Sequence, residues 1–320
     1  MSDITCVPYQ KKDFASWNEF VVQSNNGTLF HRLDFLAYHQ ARFEPNAAHL
    51  RFLKKDHCVG VLPLGLFEDE EGAIAKSPFG ASFGGLVTNP DCSLTDMESM
   101  VAALGAYLKE RKIKRLRIVQ PPLIYYGVPE DYFDFCLLKH GARITTSDLT
   151  SYVKARENAL DGFLPRARRD TQKAIIAGLE VRESDDVTAF YDILMENMKK
   201  FGGTPTHTSP EIRWLIKNLP EDIKIYHVMQ DGQAVASSLI FYANARAWLV
   251  FYWAQRQDST LLHPKNFLIM KLSELARQRG VAYIDFGPQT LDMEPFYGVT
   301  MFKESLGGRG LLRRTYLWDL

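Results

Sequence analysis

Several patterns that mark common enzyme classes are missing from this sequence. Its 4 cysteines are scattered, without a C-x-x-C pair or a neighbouring histidine cluster. This distribution argues against a zinc site and against a disulfide framework, so we expect reduced thiols. The sequence also has no G-x-S-x-G motif, no H-E-x-x-H motif and no paired-carboxylate motif. It therefore gives no support to a hydrolase or a metalloenzyme, and we expect no metal ion.

An excess of charge and a long apolar run are also missing. The 38 basic residues balance 38 acidic residues, so no net field attracts DNA or an anionic membrane. No apolar run approaches the roughly 20 residues that a membrane-spanning helix needs. The first ten residues lack the basic and apolar regions of a signal peptide. These observations predict a cytoplasmic protein that binds no DNA and has no integral membrane segment.

The residues that are present favour a globular protein with an α/β fold. At 320 residues the chain has room for one large or two ordinary domains, and its 46% apolar and 24% charged content is ordinary. The apolar run from Trp248 to Trp253 predicts a buried strand. Pro264 then begins a predicted helix that ends at Gly280, and a second strand follows over Val281–Phe286. The free N–H groups at such a helix start are able to bind an anion or an acyl carbonyl.

The two halves of the chain show a similar order of predicted elements. Alternating residues over 49–67 predict a hairpin, and a second hairpin turns at Asp231-Gly232. Thr95 with Glu98 is a capping-box pattern that predicts a helix to about Arg111. We therefore expect two tandem domains with mixed β-sheets flanked by helices, an α+β form of α/β architecture. The predicted boundaries are 1–155 for the first domain, 156–178 for a basic connecting helix, and 179–320 for the second domain.

With these elements in place, the chain resembles the FemAB-like branch of the GNAT acyltransferase superfamily, whose members pair two GNAT-like domains. Motifs scattered along most of the chain carry the resemblance: N-G-T-L-F-H, V-L-P-L, S-P-F-G-A-S-F-G-G, R-R-D-T-Q-K-A-I-I-A-G, F-G-G-T-P, H-P-K-N-F-L-I-M-K-L, Y-I-D-F-G and F-K-E-S-L-G-G. The sequence departs from relatives in two ways. It has no room for the coiled-coil arm of the cell-wall FemA-type enzymes, and after Trp253 it lacks the Q/R-x-x-G-x-G/A signature that holds coenzyme A in many GNAT enzymes.

The resemblance implies transfer of an acyl or aminoacyl group from an activated carrier to an amine of a cell-envelope or polysaccharide precursor. The carrier would be acyl-CoA or aminoacyl-tRNA, and the amine would attack it directly. Phe302-Lys303 matches the Phe-Lys pair at the family's transfer site, which makes Lys303 a candidate for stabilising the oxyanion. A surface lysine on a closing strand or turn is the alternative. Asp285 ends a predicted strand and either accepts the proton of the amine or caps the next turn.

Other polar residues are candidates for substrate binding. Arg168, Arg169 and Lys173 lie on one predicted helix and would bind the phosphate of a nucleotide-linked acceptor or the 3′ end of a tRNA; otherwise they form a solvated face. His263 and Lys265 flank Pro264 at the helix start, next to the proposed acyl pocket, and would add to an anion site there. Asn266 is a further candidate, or else only forms a local hydrogen bond. Tyr252 has a polar end that would reach a ligand, or else it belongs to the core.

Two other functions stay open at this stage. One is an acyl-CoA-dependent N-acetyltransferase of a small amine or amino sugar, against which the missing glycine signature argues. The other is a GNAT-fold binding protein without catalytic activity. Lys303→Ala distinguishes the two, because it should abolish transfer by an enzyme but leave partner binding by a non-catalytic protein unchanged.

Overall fold

The computed structural model describes residues 3–200 and 202–320, except for the side chains of residues 40 and 41. Phe201, the first residue of the F-G-G-T-P motif, lies outside the described residues. The chain divides into two compact units. The first unit is Met1–Asp148 together with Leu312–Leu320, and the second is Leu149–Leu311.

The first unit contains two groups of paired strands and helices packed on them. Its elements are β1 (Ile4–Pro8), α1 (Phe14–Gln23), α2 (Leu33–Leu36), β2 (Leu50–Lys54), β3 (His57–Leu62), β4 (Gly65–Asp69), β5 (Gly72–Ser77), β6 (Val87–Thr88), α3 (Leu94–Glu110), β7 (Arg115–Val119) and α4 (Tyr132–Lys139). Strands β1, β2, β3 and β6 form an antiparallel sheet in that order. Strand β5 pairs antiparallel with β4 and parallel with β7.

The second unit is built on one mixed group of strands. Its elements are α5 (Pro165–Ile176), β9 (Glu180–Ser184), α6 (Val187–Lys199), α7 (Ser209–Asn218), β10 (Ile223–Gln230), β11 (Gln233–Phe241), β12 (Ala247–Gln255), α8 (Pro264–Gln278), β13 (Tyr283–Pro288), β14 (Thr290–Leu291), β15 (Glu294–Pro295) and α9 (Tyr297–Ser305). The chain enters this unit within β8 (Arg143–Lys154) and leaves it within β16 (Arg309–Asp319). The strand order is β8-β13-β12-β11-β10-β9, in which only the β12–β13 pair is parallel.

Both units repeat one arrangement of strands and helix. In each, an antiparallel pair (β4–β5 or β11–β12) is followed by a helix (α3 or α8) and by a strand parallel to the last one (β7 or β13). Each unit also has its own buried apolar core. The predicted mixed sheets flanked by helices are confirmed.

Some predicted boundaries differ from the observed ones. Ser93, not Thr95, caps α3: its hydroxyl oxygen accepts a hydrogen bond from the Asp96 N–H at 3.1 Å. Ser93 comes two residues earlier and is an equally good cap, so Thr95 falls within the first turn. The units divide after residues 148 and 311, whereas the sequence placed divisions after residues 155 and 178. The basic helix α5 packs against α8 inside the second unit, because its Ala167, Thr171 and Ala174 face is buried there.

Candidate active site in the second unit

Strands β12 and β13 separate toward their carboxyl ends. Their parallel pairing comprises three residue pairs and ends at Leu249 and Asp285, although β12 continues to Gln255. A bulge in the pairing of β12 with β11 falls at the same level, between Leu239 and Ile240. The aromatic rings of Trp253 and Phe286 stack between the separating strands, with centroids 5.4 Å apart and an interplanar angle of 23°. The two strands therefore diverge, and aromatic rings lie between them.

Lys303 reaches the end of β13 from helix α9. Its side chain is only 2% exposed, and its ammonium donates hydrogen bonds to the carbonyl oxygens of Gly287 at 2.9 Å and Pro288 at 2.7 Å. Burial lowers the pKa of Lys303 from 10.5 to about 8, and the nearby Asp285 carboxylate opposes this shift. An ammonium has three N–H donors, so the two carbonyls leave one for a bound acyl oxygen. The alternative of a surface lysine on a strand or turn is wrong, because this residue is buried on a helix.

Asp285 fixes the turn that carries those carbonyls. Its side chain is completely buried, and its Oδ1 accepts hydrogen bonds from the Thr150 hydroxyl at 2.6 Å and from the Gly287 N–H at 2.7 Å. Gly287 has φ +73°, a conformation that residues with a Cβ rarely adopt. Asp285 therefore fixes the irregular end of β13, where the pairing with β8 shifts register between Asp285 and Pro288, and it also lies close enough to raise the pKa of Lys303.

Phe302 and Lys265 lie next to the Trp253 ring at the point where the strands diverge. The Phe302 ring lies 5.4 Å from the ring of Trp253, and the Lys265 ammonium lies 5.1 Å from the centroid of the Phe302 ring. Burial, together with the charge of Lys200, lowers the pKa of Lys265. Asn266, the next residue of α8, is buried. The structure thus places Lys265 of α8 against Phe302, the neighbour of Lys303 on α9.

The start of α8 has few free backbone donors. His263 precedes the helix in the left-handed conformation, with φ +51°, and its Nε2 lies 3.4 Å from the Asp170 carboxylate. Pro264 has no N–H, and the N–H groups of Asn266 and Phe267 already donate to the His263 carbonyl at 3.1 and 3.3 Å. The first turn of α8 therefore offers an anion fewer free N–H groups than the sequence suggested.

Asp170 of the basic helix α5 contacts the start of α8, in addition to the packing of the two helices. Asp170 lies 3.0 Å from the Lys173 ammonium and 3.9 Å from the Arg166 guanidinium, in addition to its contact with His263. These contacts neutralise part of the predicted phosphate-binding face. Arg168 and Arg169 are exposed on the same helix.

Tyr252 organises a loop. Its hydroxyl contacts the backbone N–H of Thr206 at 3.0 Å and of His207 at 3.3 Å, and it also contacts the side chains of both residues. Burial raises the pKa of Tyr252, an effect that these hydrogen bonds oppose. The polar end that made Tyr252 a candidate for ligand binding is thus occupied by the loop before α7.

Sequence reasoning missed Thr150 and the backbone carbonyls of Gly287 and Pro288. Thr150 is 135 residues from its partner Asp285, and nothing in its local sequence marks it. The Gly287-Pro288 pattern indicates that the chain turns after a strand, but it does not indicate that the two carbonyls bind a lysine. In the part of the chain that the structure describes, no three His, Cys, Asp or Glu side chains gather into a group that would hold a metal ion. No helix among these residues is long and apolar enough to cross a membrane.

The chain is similar to known proteins in sequence over one region and in fold along its length. A family model described as "Acetyltransferase (GNAT) domain" matches residues 163–303, which include β12, α8, β13 and Lys303. The search of curated protein sequences gives no match. Among solved structures, FemX superimposes with a TM-score of 0.77 at 13% identity, covering 98% of this chain and 97% of FemX.

Two further structures extend the comparison. The C-terminal domain (DUF2156) of a putative lysylphosphatidylglycerol synthetase from Agrobacterium fabrum has a TM-score of 0.62 at 11% identity, covering 96% of this chain and 91% of that one. A tandem GNAT protein from the clavulanic acid biosynthesis pathway has a TM-score of 0.52 at 11% identity, covering 99% and 98%. Residues 163–303 therefore match a GNAT acetyltransferase domain, and the chain along its length has the fold of FemX and of a tandem GNAT protein.

Proposed function

We propose that this protein transfers an acyl or aminoacyl group to an amine of a cell-envelope or polysaccharide precursor in the cytoplasm. The observation that carries the proposal is the buried Lys303 ammonium, held by two carbonyls at the point where β12 and β13 separate. The similarity in fold to FemX and to a domain of a putative lysylphosphatidylglycerol synthetase supports aminoacyl transfer as the first candidate.

The reaction would proceed by direct attack of a neutral amine on the carbonyl carbon. A C–N bond forms, the carbonyl oxygen gains negative charge, and the bond to the carrier oxygen or sulfur then breaks. The third N–H of Lys303 would donate to that oxyanion, and the proton of the amine would leave with the carrier. Because the pKa of Lys303 is about 8, its side chain is positively charged in most protein molecules at pH 7. Asp285 would act as a positioning residue, because its Oδ1 already accepts two hydrogen bonds.

The start of α8 supports aminoacyl-tRNA over acyl-CoA as the carrier. Coenzyme A requires donors for its pyrophosphate, and the first turn of α8 has its N–H groups largely absent or occupied. The exposed side chains of Arg168 and Arg169, with Lys173, would instead contact phosphates of a tRNA 3′ end or of a nucleotide-linked acceptor. Lys265 and His263, with the buried Asn266, would border the acyl group.

Acyl-CoA-dependent N-acetylation of a small amine or amino sugar is the second candidate. The description of the matched family model, an acetyltransferase domain, favours it. A binding protein of GNAT fold without catalysis is the third. Calorimetric titration of the folded protein with coenzyme A and acetyl-CoA separates the first two candidates. Saturable binding that weakens in Lys265→Gln supports the second candidate, and no binding supports a tRNA carrier.

Transfer assays then test whether the protein is an enzyme. The assay supplies aminoacyl-tRNA or acetyl-CoA with a nucleotide-linked amino sugar, and it compares wild type with Lys303→Met. Lys271→Met is the control, because Lys271 lies on α8 and its ammonium pairs with Glu274. Equal transfer by wild type and Lys303→Met would overturn the proposed role of Lys303. Binding of the acceptor without any transfer would support the third candidate.

A further inference from the structure

A cavity of about 330 Å³ lies in the second unit, beside the turn that follows α9. Its lining includes the buried apolar side chains of Phe163, Ile269 and Leu306. Its volume lies at the lower end of the range of roughly 300–1,000 Å³ that is typical of small-molecule sites. None of the residues discussed above as candidates for the transfer reaction lines this cavity.

The rim of the cavity is strongly basic. Three cations line it, Lys154, Arg156 and Arg309, against the single carboxylate of Asp161. None of the three forms an ion pair with a carboxylate in residues 3–200 or 202–320. Asp161 is engaged elsewhere, because its Oδ1 accepts a hydrogen bond from the Asn158 amide at 3.0 Å. Three exposed cations without ion pairs around one cavity favour the binding of an anion there.

A buried hydroxyl adds a donor to the same cavity. The Ser273 side chain is 3% exposed and its oxygen accepts a hydrogen bond from the Arg156 N–H at 3.2 Å. Its own O–H has no acceptor among the described residues, although Ser273 lines the cavity.

The wall is also closely packed. A Cβ at Gly307 would lie 2.6 Å from the Gly162 carbonyl oxygen, so these two turns already touch. The cavity therefore has one closely packed wall and an unused donor.

We propose that this cavity binds an organic phosphate monoester. The phosphate would lie at the rim against Arg156 and Arg309, whose planar guanidinium groups bind phosphate in a bidentate manner. The apolar part of the ligand would rest on Phe163 and Ile269. Three cations and one carboxylate leave an excess of two positive charges, which a phosphate monoester of charge about −1.5 to −2 balances better than a carboxylate does. The proposal is independent of the reaction at Lys303.

Calorimetric titration of the full chain with phenyl phosphate at low salt tests this site. Phenyl phosphate should bind saturably and at least tenfold more tightly than benzoate or inorganic phosphate, because only it has both the dianion and the ring. The affinity should fall as salt is added. Arg309→Gln and Arg156→Gln should each weaken binding at least tenfold. Both side chains lie at an open rim, so folding is expected to persist, and circular dichroism confirms it.

Two matched variants locate the bound anion. Lys217→Gln removes an exposed cation on α7 and should leave the affinity unchanged. Arg169→Gln removes an exposed cation on α5 and should also leave it unchanged. Loss of binding in Arg169→Gln with retention in Arg309→Gln would place the anion on α5 and overturn the proposal. Absence of saturable binding by the wild-type protein at millimolar phenyl phosphate would overturn it as well.

Discussion

Asp285 and Lys303 are connected through the backbone of Gly287. The carboxylate of Asp285 accepts the Gly287 N–H at 2.7 Å, and the carbonyl of the same residue accepts the Lys303 ammonium at 2.9 Å. The buried Asp285 carboxylate thus positions the Lys303 ammonium through Gly287 and also raises the pKa of Lys303. The arrangement explains how a cation is retained inside a core where burial alone would favour its neutral form.

Lys303→Met should reduce transfer strongly. Loss of one donor to a developing oxyanion typically lowers kcat about 10²–10³-fold. The Michaelis constants should change little, because the contact strengthens only in the transition state. Steady-state transfer assays of the variant against Lys271→Met provide the measurement. A variant with normal kcat and a raised KM would instead assign Lys303 to substrate binding.

The rate of transfer should fall as pH rises through about 8. Lys303 stabilises an oxyanion only while it is protonated, and its pKa is about 8. A lysine acting as general base would give the opposite result, with a rate that rises through the same pH. The pH profile of kcat/KM distinguishes these outcomes. Lys303→Arg is the control, since any activity that it retains should lack the fall because arginine stays charged.

Asp285→Asn should move that fall to lower pH. The amide keeps an oxygen for the hydrogen bonds from Thr150 and Gly287 but removes the negative charge that raises the pKa of Lys303. The lysine should then lose its proton at a lower pH than in the wild type. The pH profile of the variant measures the shift. An unchanged profile with a lower plateau would indicate that Asp285 acts only through geometry.

Stability should also depend on the titration of Lys303. Its folded-state pKa of about 8 lies below its ordinary value of 10.5, so between these values the unfolded chain holds more protons than the folded one. The free energy of unfolding therefore increases as pH rises through this range, by about 3 kcal/mol in total. Below pH 8 the cost of burying the charge applies in full.

Urea unfolding of wild type and Lys303→Met at pH 7 and pH 10.5 isolates this effect. Tyrosines and cysteines also titrate in this range, but they are common to both proteins and cancel in the difference. The wild type should gain about 3 kcal/mol relative to the variant between the two pH values. A constant difference would show that Lys303 has the same pKa in the folded and unfolded states.

Local patterns predicted most elements of this fold, while contacts distant in sequence decide the site. The apolar run of β12 and the Pro264 and Gly280 boundaries of α8 depend on neighbouring residues, and each was predicted correctly within a few positions. The resemblance drew attention to Lys303, yet no local pattern showed that it is buried. Its environment is set by carbonyls 15 and 16 residues away, whose positions follow from the tertiary fold.

Gly287→Ala tests whether the turn itself positions Lys303. Gly287 has φ +73° and no atom lies within 4 Å of an added Cβ, so the cost should be backbone strain alone, about 1–2 kcal/mol. Gly280→Ala is a matched control, because Gly280 has φ +75° with equally open surroundings but follows α8 and does not touch Lys303. Both variants should lose similar stability in urea unfolding. Only Gly287→Ala should also lower kcat and shift the alkaline fall of the pH profile, since its carbonyl holds the ammonium. Equal activity of the two variants would mean that the position of Lys303 does not depend on this turn.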